Sequence, residues 1–220
     1  MRVFVLDHES SDATATIARE HGAQVVIRPF PGFVEARRFA LSQVQTPWTL
    51  MIDADEALDS ELRDAIVAAN DAVDGYMLQR STYYCGRPLR MWRGERLLRL
   101  FRTDAVRLEA APAAGGNAQL HERWICDGTV AQLPGTLHHY SYPTREAYRE
   151  KYERYTAVEA SGVVASPARV VLESLRAPAR FMWYAVVRAA VFDGIDGLRV
   201  AWASAWYPVV VYRKALRRGR

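Results

Sequence analysis

Cysteine is scarce in this chain: its 220 residues hold two, Cys85 and Cys126. They lack the close spacing of a zinc site and cannot build a disulfide framework, so both read as structural thiols in a reducing compartment. Long apolar runs are missing as well. No stretch reaches the about 18–20 residues that cross a bilayer, and the apolar Val3-Phe-Val-Leu6 is too short for a secretory leader. The N-terminal region has no glycine-rich loop bearing Lys or Arg, which argues against a triphosphate-binding nucleotidyltransferase. Internal repeats and low-complexity tracts are lacking, which excludes solenoids and disordered arrays. Strong net charge is lacking too, at +4 overall, and what there is comes from one end. From residue 166 onward ten Lys and Arg face three Asp and Glu, whereas the residues before it carry nineteen against twenty-two.

What is present is a globular composition, 50% hydrophobic and 25% charged, in a length that suits one domain with an appendage. Val3–Leu6 reads as a buried strand ending in the polar turn Asp7-His-Glu-Ser-Ser-Asp12. A helix is expected over Ala13–Glu20, stopped at Gly22, where a left-handed residue closes the last turn. Gln24–Ile27 reads as a second strand, Pro29–Gly32 as a loop and Val34–Val44 as a helix. The next strand, Trp48-Thr-Leu-Met-Ile52, runs directly into Asp53, Asp55 and Glu56. Strand and helix alternating in this way predict an α/β fold with a mostly parallel sheet. Ligands of such sheets gather at the carboxyl ends of the strands. Acids placed there either hold a hard divalent cation that neutralises phosphate oxygens or flank the helix that Asp59-Ser60 begins.

Beyond Asn70 the pattern turns to strands, at Gly75–Tyr84 and Arg96–Arg102. Ala110–Ala118 is rich in Ala and Gly and reads as a mobile loop. Leu120–Ile125 and Thr129–Leu133 are expected to pair across Cys126-Asp-Gly128, since Asp-Gly is a hairpin signal. Helix returns over Arg145–Ala160. The tail, 166–220, contains two strongly apolar stretches, Phe181–Phe192 and Leu198–Tyr212, with Trp, Tyr and Arg interleaved. Amphipathic helices of that composition lie in a bilayer interface; the alternative is a helical pair packed on the protein's own core. A nucleic-acid partner is not expected, because the tail is more apolar than phosphate binding needs.

In order along the chain, these pieces resemble the family-two glycosyltransferases, inverting enzymes of the GT-A (Rossmann-like) fold, and within them the bacterial subgroup that builds lipopolysaccharide core. The resemblance is carried by Asp7-His-Glu-Ser-Ser-Asp-Ala-Thr14, Gly32-Phe33 with Arg37, Asp53-Ala-Asp-Glu56 and Leu98-Arg-Leu-Phe-Arg102. It continues in His121-Glu122, in His138-His-Tyr-Ser-Tyr142 with Lys151 and Tyr155, and in Asp193-Gly194 with Gly197. It implies a transferase domain over 1–160, with 1–74 on the nucleotide-sugar side and 75–160 on the acceptor side, followed by the helical tail. It implies Mg²⁺ or Mn²⁺ at Asp55, with His121 completing the metal shell or positioning the donor. Asp53 holds the ribose or a metal-bound water. Asp7 contacts the nucleotide base or caps a helix. Arg37 lies on the donor side, and Arg99 and Arg102 face the diphosphate or form ion pairs at the strand edge. Glu122 is the general base, and Glu56 caps or braces the helix that follows it. His138, His139, Tyr140 and Tyr142 shape the acceptor wall.

The expected enzyme moves a hexose from a nucleotide sugar to a lipid-linked glycan such as lipopolysaccharide core, working from the cytoplasm at the inner face of the cell membrane. Against the family pattern the sequence opens at the second strand, so a GT-A sheet short of its first strand and helix is expected. Arg38 and Ala13 stand where the family has Asn and Gly, both on the donor side. A non-catalytic, membrane-associated binding or assembly protein that keeps this fold is the other reading.

Overall fold

The computed structural model describes residues 2–110 and 122–218. The chain opens with β1 (Phe4–Asp7), α1 (Thr14–Glu20), β2 (Gln24–Ile27) and α2 (Phe33–Ser42), followed by β3 (Trp48–Leu50), β4 (Glu56–Leu58) and α3 (Ser60–Ala68). Strands then dominate: β5 (Gly75–Tyr84), β6 (Arg87–Pro88), β7 (Glu95–Arg102), β8 (Val106–Ala110), β9 (Glu122–Cys126), β10 (Val130–Gln132) and β11 (Leu137–Tyr142). Helices α4 (Arg145–Ser161), α5 (Pro167–Met182) and α6 (Gly194–Arg218) complete it. A π-helical turn, Trp183–Val187, and a short 3₁₀ turn, Ala190–Asp193, join α5 to α6. Local chemistry sets several boundaries. Asp59 caps α3 by accepting from the Leu62 amide at 2.7 Å, Thr144 caps α4 and Ser166 caps α5.

The α/β class holds, but the sheet is mixed rather than mostly parallel. Its order is β3-β7-β5-β11-β4, with β6 and β10 also on β5. Only β10 and β11 lie parallel to β5; β6 and β7 pair with it antiparallel, as β3 does with β7 and β4 with β11. The physical reason is the length of the connections. Two residues separate β5 from β6 and ten separate β5 from β7, fewer than the about a dozen that a parallel crossover needs. The alternating first half does make a parallel pair, β1 with β2, as a separate two-stranded sheet.

The hairpin expected across Cys126-Asp-Gly128 does not form. β9 pairs back onto β8, and β10 joins β5. Asp74 redirects the chain there: its carboxylate accepts from the Thr129 amide at 2.9 Å and hydroxyl at 3.2 Å, and the Thr129 carbonyl accepts from the Asp74 and Gly75 amides. Gly128 lies so close that a Cβ would meet the Asp74 carboxylate. The mobile-loop reading of Ala110–Ala118 falls, beyond Ala110, outside the described residues.

Two apolar layers flank the sheet. Leu62, Tyr76, Leu78, Leu100, Leu133 and Leu137 form the core beneath α3. Leu98, Phe101, Leu108 and Trp124 form the other, against Val34 and Leu41 of α2. A third cluster ties the tail to the body, since Ala190, Val200 and Ala201 pack on Tyr84, Leu89 and Met91. Most of Leu198–Tyr212 is therefore spent inside the molecule, with Val200, Ala201, Ala205, Val209 and Val211 buried. Tyr207 donates to Glu159 on α4 at 2.9 Å.

Close packing over α3 yields a stability test. Gly135 has φ +88°, and a Cβ there would meet the Leu62 backbone, whereas Gly86 at φ +78° has open space around it. Gly135→Ala should cost the left-handed strain plus overpacking, about 2–4 kcal/mol in urea unfolding, and Gly86→Ala only the strain, about 1 kcal/mol.

Candidate active site

The acid turn begins where β3 stops. Its backbone closes on itself: the Glu56 amide donates to the Asp53 carbonyl at 3.0 Å, and the Asp53 amide donates to Glu56 Oε2 at 2.9 Å. Glu56 is thereby drawn inward until its side chain is fully buried. It braces the turn and the sheet, not α3 as expected from sequence, because α3 is already capped by Asp59.

A buried carboxylate needs partners, and arginines from two strands supply them. Arg99 Nη2 lies 3.0 Å from Glu56 Oε1 and 2.8 Å from Asp53 Oδ2. Arg80 reaches Glu56 Oε1 at 3.5 Å and clasps Glu95 through two bonds of 2.8 and 2.9 Å. Arg37, from α2, closes on Asp53 at 3.0 and 3.3 Å. Three guanidinium groups thus face three carboxylates. Arg99 is placed by an irregularity in the sheet. Tyr76 pairs with Leu100 and Met77 with Leu98, which leaves Arg99 as the extra residue of a bulge, and bulges re-aim side chains. Its carbonyl is held by the Met51 amide at 2.8 Å. Burial pushes the Asp53 carboxyl up, but Arg99 and Arg37 outweigh that and hold it below the usual range.

Asp55 sits apart from this network and is more open. His139 Nε2 lies 3.2 Å from Asp55 Oδ2, and the other ring nitrogen faces the Thr82 hydroxyl at 3.3 Å. The pairing of β11 with β4 sets up this contact, since His139 is in register with Glu56 and the Tyr140 amide donates to the Asp55 carbonyl at 2.8 Å. The bond from His139 holds Asp55 below the ordinary carboxylate range despite partial burial. Lys151, from α4, completes this side. Its ammonium donates to Ser141 at 2.6 Å and lies over the Tyr142 ring at 5.1 Å and the Tyr155 ring at 5.7 Å. Burial lowers its pKa, while Asp55 pulls it back up.

The structure therefore joins Asp53, Arg37 and Arg99 in one network, with Asp55 at its rim. The other sequence candidates have different contacts. Asp7, buried at the end of β1, accepts from the Ser10 amide and hydroxyl and so shapes its own turn; α1 has no side-chain cap. Arg102 lies near Asp71 and Asp104 at 3.9 and 3.8 Å and takes no part in the network. Glu122 opens β9, its backbone paired with Ala110. His121 lies outside the described residues. Among those residues no group of three or more His, Cys, Asp or Glu converges closely enough to hold a metal unaided. Asp55 and His139 together provide two donors, which suits a cation whose remaining ligands are substrate phosphates and water.

Sequence reasoning left His139 among the wall residues and gave Arg80 and Glu95 no role. The signal for His139 was its position in a His-His-Tyr-Ser-Tyr strand, but its partner depended on a register no local pattern contains. A cavity of about 430 Å³ opens between the end of β1, the loop after β2 and α2, lined by Leu6, His8, Arg28, Ala36, Arg38 and Phe39 and by no residue of the acid turn. Arg38, which departs from the family pattern, is thus a wall of that cavity and pairs with Glu35 at 2.9 Å.

Removing one member of a buried pair leaves its partner uncompensated. Glu56→Ala should destabilise the protein by about 3–5 kcal/mol in urea unfolding, whereas Arg102→Ala should stay within about 0.5 kcal/mol. Because the folded-state pKa of Asp53 is depressed, its contribution is fully present above the unfolded value of about 3.9 and is lost as pH falls through the folded value. Unfolding midpoints measured downward from pH 5 should fall less steeply for Asp53→Asn than for the wild type.

Comparison with known proteins fits this geometry to a family. Residues 1–125 match the model for Glycosyl transferase family 2. An uncharacterised glycosyltransferase of Rickettsia prowazekii is 31% identical over 214 residues, covering 89% of this chain and 70% of the relative. One from Rickettsia typhi is 30% identical over 213 residues, with the same coverage. A lipopolysaccharide core biosynthesis glycosyltransferase, LpsC of Rhizobium meliloti, is 28% identical over 179 residues, 76% of this chain and 64% of LpsC. Among solved structures, S. aureus TarS in complex with UDP-GlcNAc shows a weaker likeness, with a TM-score of 0.42 at 14% identity over 100% of this chain and 83% of that one. A match across more than half of the chain, with relatives aligned over most of their length, decides the family: this protein belongs to Glycosyl transferase family 2 and is a glycosyltransferase.

Proposed function

We infer that this glycosyltransferase moves a hexose, with inversion, from a nucleotide sugar onto a lipid-linked glycan of the lipopolysaccharide-core type at the inner face of the cell membrane. The observation that carries the reading is the acid turn, in which Asp53 is locked by Arg37 and Arg99 while Asp55 faces outward toward His139. That division of labour suits a leaving diphosphate. The two arginines fix Asp53 in one orientation, ready for a ribose hydroxyl. Asp55 and His139 would hold Mg²⁺ or Mn²⁺, with His121 a further candidate ligand. Such an ion, when bound, neutralises charge on the departing diphosphate.

The reaction needs the acceptor hydroxyl to attack the anomeric carbon as the bond from that carbon to the diphosphate oxygen breaks. The nucleoside diphosphate leaves with the electron pair, and the hydroxyl proton passes to a carboxylate on the acceptor side. Glu122 is the proposed base, a role supported by its place in the family pattern and by a β9 strand anchored through Trp124 on Phe101, ring centroids 5.0 Å apart. Lys151, half-buried between two tyrosine rings near Asp55, supplies fixed positive charge beside the developing phosphate charge. The lipopolysaccharide link draws on the likeness to LpsC and the lipid link on the basic, aromatic tail.

A screen of nucleotide sugars with Mg²⁺ or Mn²⁺ tests this, reading donor turnover in the presence of lipopolysaccharide-core acceptors. Glu122→Gln should lower turnover by about 10²–10⁴-fold with donor binding retained. Asp55→Ala should abolish the metal dependence along with turnover. Full turnover in either variant would remove that residue from the mechanism, and failure of every donor would overturn the nucleotide-sugar reading.

A further inference from the structure

Helix α5 is built inside out. The side turned to α6 carries a charge, Glu173, buried to 4% exposure. Arg180, Arg176 and Arg169 surround its carboxylate at 2.6, 3.1 and 3.3 Å, and Arg180 also donates to the Ala205 carbonyl of α6. The outer side is apolar. Leu175 is 74% exposed, Val187 68%, Phe192 70% and Ile195 64%, with Met182 and Trp183 between them also open. Recurrence at helical spacing through α5, continued by the π-helical turn, lines up Leu175, Met182, Trp183 and Val187 as a stripe, and Phe192 and Ile195 follow in the turn into α6. With Val171 and Leu172, also exposed, the part of it on α5 runs from Val171 to Met182, about 17 Å at 1.5 Å per residue. Isolated exposed apolar residues need no explanation, but a contiguous strip of this kind marks an interaction surface.

We propose that this stripe is a membrane-docking face that lies in the interfacial layer of an anionic leaflet. Charge selects the occupant. Arg90, 45% exposed, sits at the edge of the stripe with its guanidinium 5.5 Å from the Phe192 ring, and the three arginines around Glu173 leave α5 a surplus of two positive charges, with Arg169 and Arg176 42% and 54% exposed. The tail as a whole carries ten basic residues against three acidic ones. Apolar side chains flanked by Arg match the acyl boundary and the phosphate layer above it. A second copy of the chain would bring two such basic rims together, which like-charge repulsion opposes. No helix among the described residues is long and apolar enough to cross a membrane, so the stripe lies on the surface.

The docking face is mechanically continuous with the site. Arg188 Nε donates to the Met91 carbonyl at 2.9 Å, and the Arg90 amide donates to Asp193 at 2.6 Å. Next to them Trp92 packs on Tyr142, ring centroids 5.5 Å apart, and Tyr142 lies under Lys151. Seating the stripe therefore sets the angle at which the acid turn meets the leaflet. This orientation rests on the lipid-linked acceptor inferred above; binding to vesicles does not.

Flotation of the full chain with vesicles of phosphatidylglycerol in phosphatidylcholine, against phosphatidylcholine alone, tests the proposal. Wild type should float with the anionic vesicles, less so at high salt, with a blue shift in tryptophan emission. Leu175→Glu with Val187→Glu should weaken partitioning by about tenfold or more, leaving donor turnover on a soluble acceptor and the unfolding midpoint unchanged. If that variant does not fold, Leu175→Ser with Val187→Ser reads the same loss. Wild type that ignores anionic vesicles, or a folded variant that floats as wild type does, overturns the proposal. So does sedimentation showing a dimer that either variant converts to monomer. Vesicle binding without any donor turnover would leave the docking face standing and the nucleotide-sugar reading failed.

Discussion

Glu56, fully buried, is the constraint on which this site depends. An isolated carboxylate there would be neutralised or expelled, so its burial requires Arg99 and Arg80 to arrive with it and requires the Asp53 amide to turn toward it. The same Arg99 Nη2 that reaches Glu56 also reaches Asp53, and Arg37 secures that carboxylate from α2. A buried ion-pair network of this kind adds little net stability, because desolvation offsets the Coulombic gain. What it contributes is orientation: the turn between β3 and β4 has one arrangement that satisfies every charge, and in that arrangement Asp55 is left facing out.

The same network connects the two halves of the protein. Arg37 comes from the alternating strand–helix segment, and Arg80 and Arg99 come from the antiparallel centre of the sheet. The acid turn lies where these meet. On its other flank, β11 brings His139 to Asp55, and α4, which follows β11, brings Lys151. α4 is in turn the surface on which α6 packs, through Tyr152 on Tyr207 and Lys214 on Glu153. The tail is thus part of the scaffold that holds the site, with α6 packed inward and the outer side of α5 left open to a partner.

Features governed by near neighbours were legible in the sequence. Gly75–Tyr84 reads as one strand because aromatic and β-branched residues run between turn residues, and the structure gives the same bounds. Asp59 was readable as a helix start and caps α3. The acid turn, and Arg37 and Arg99 beside it, were visible once the family resemblance was recognised. Features set by long-range register were not. The bulge that re-aims Arg99, the pairing that sets His139 against Asp55, and the Asp74–Thr129 contact that prevents a hairpin all depend on which strand lies next to which. The tail shows the same limit in a helix: the apolar stretch Leu198–Tyr212 was a candidate bilayer face, yet much of it packs inside, while on α5 Glu173 faces inward because three arginines accompany it.

The central claim is that the outward-facing Asp55 makes this turn a diphosphate-binding centre through a divalent cation. ³¹P NMR of a nucleoside diphosphate with the protein and sub-stoichiometric Mn²⁺ tests it directly, since a bound paramagnetic ion broadens both phosphorus resonances. The account predicts strong broadening with wild type that is lost in Asp55→Asn while the fold is retained. Equal broadening in the two proteins, or none with wild type, would contradict it.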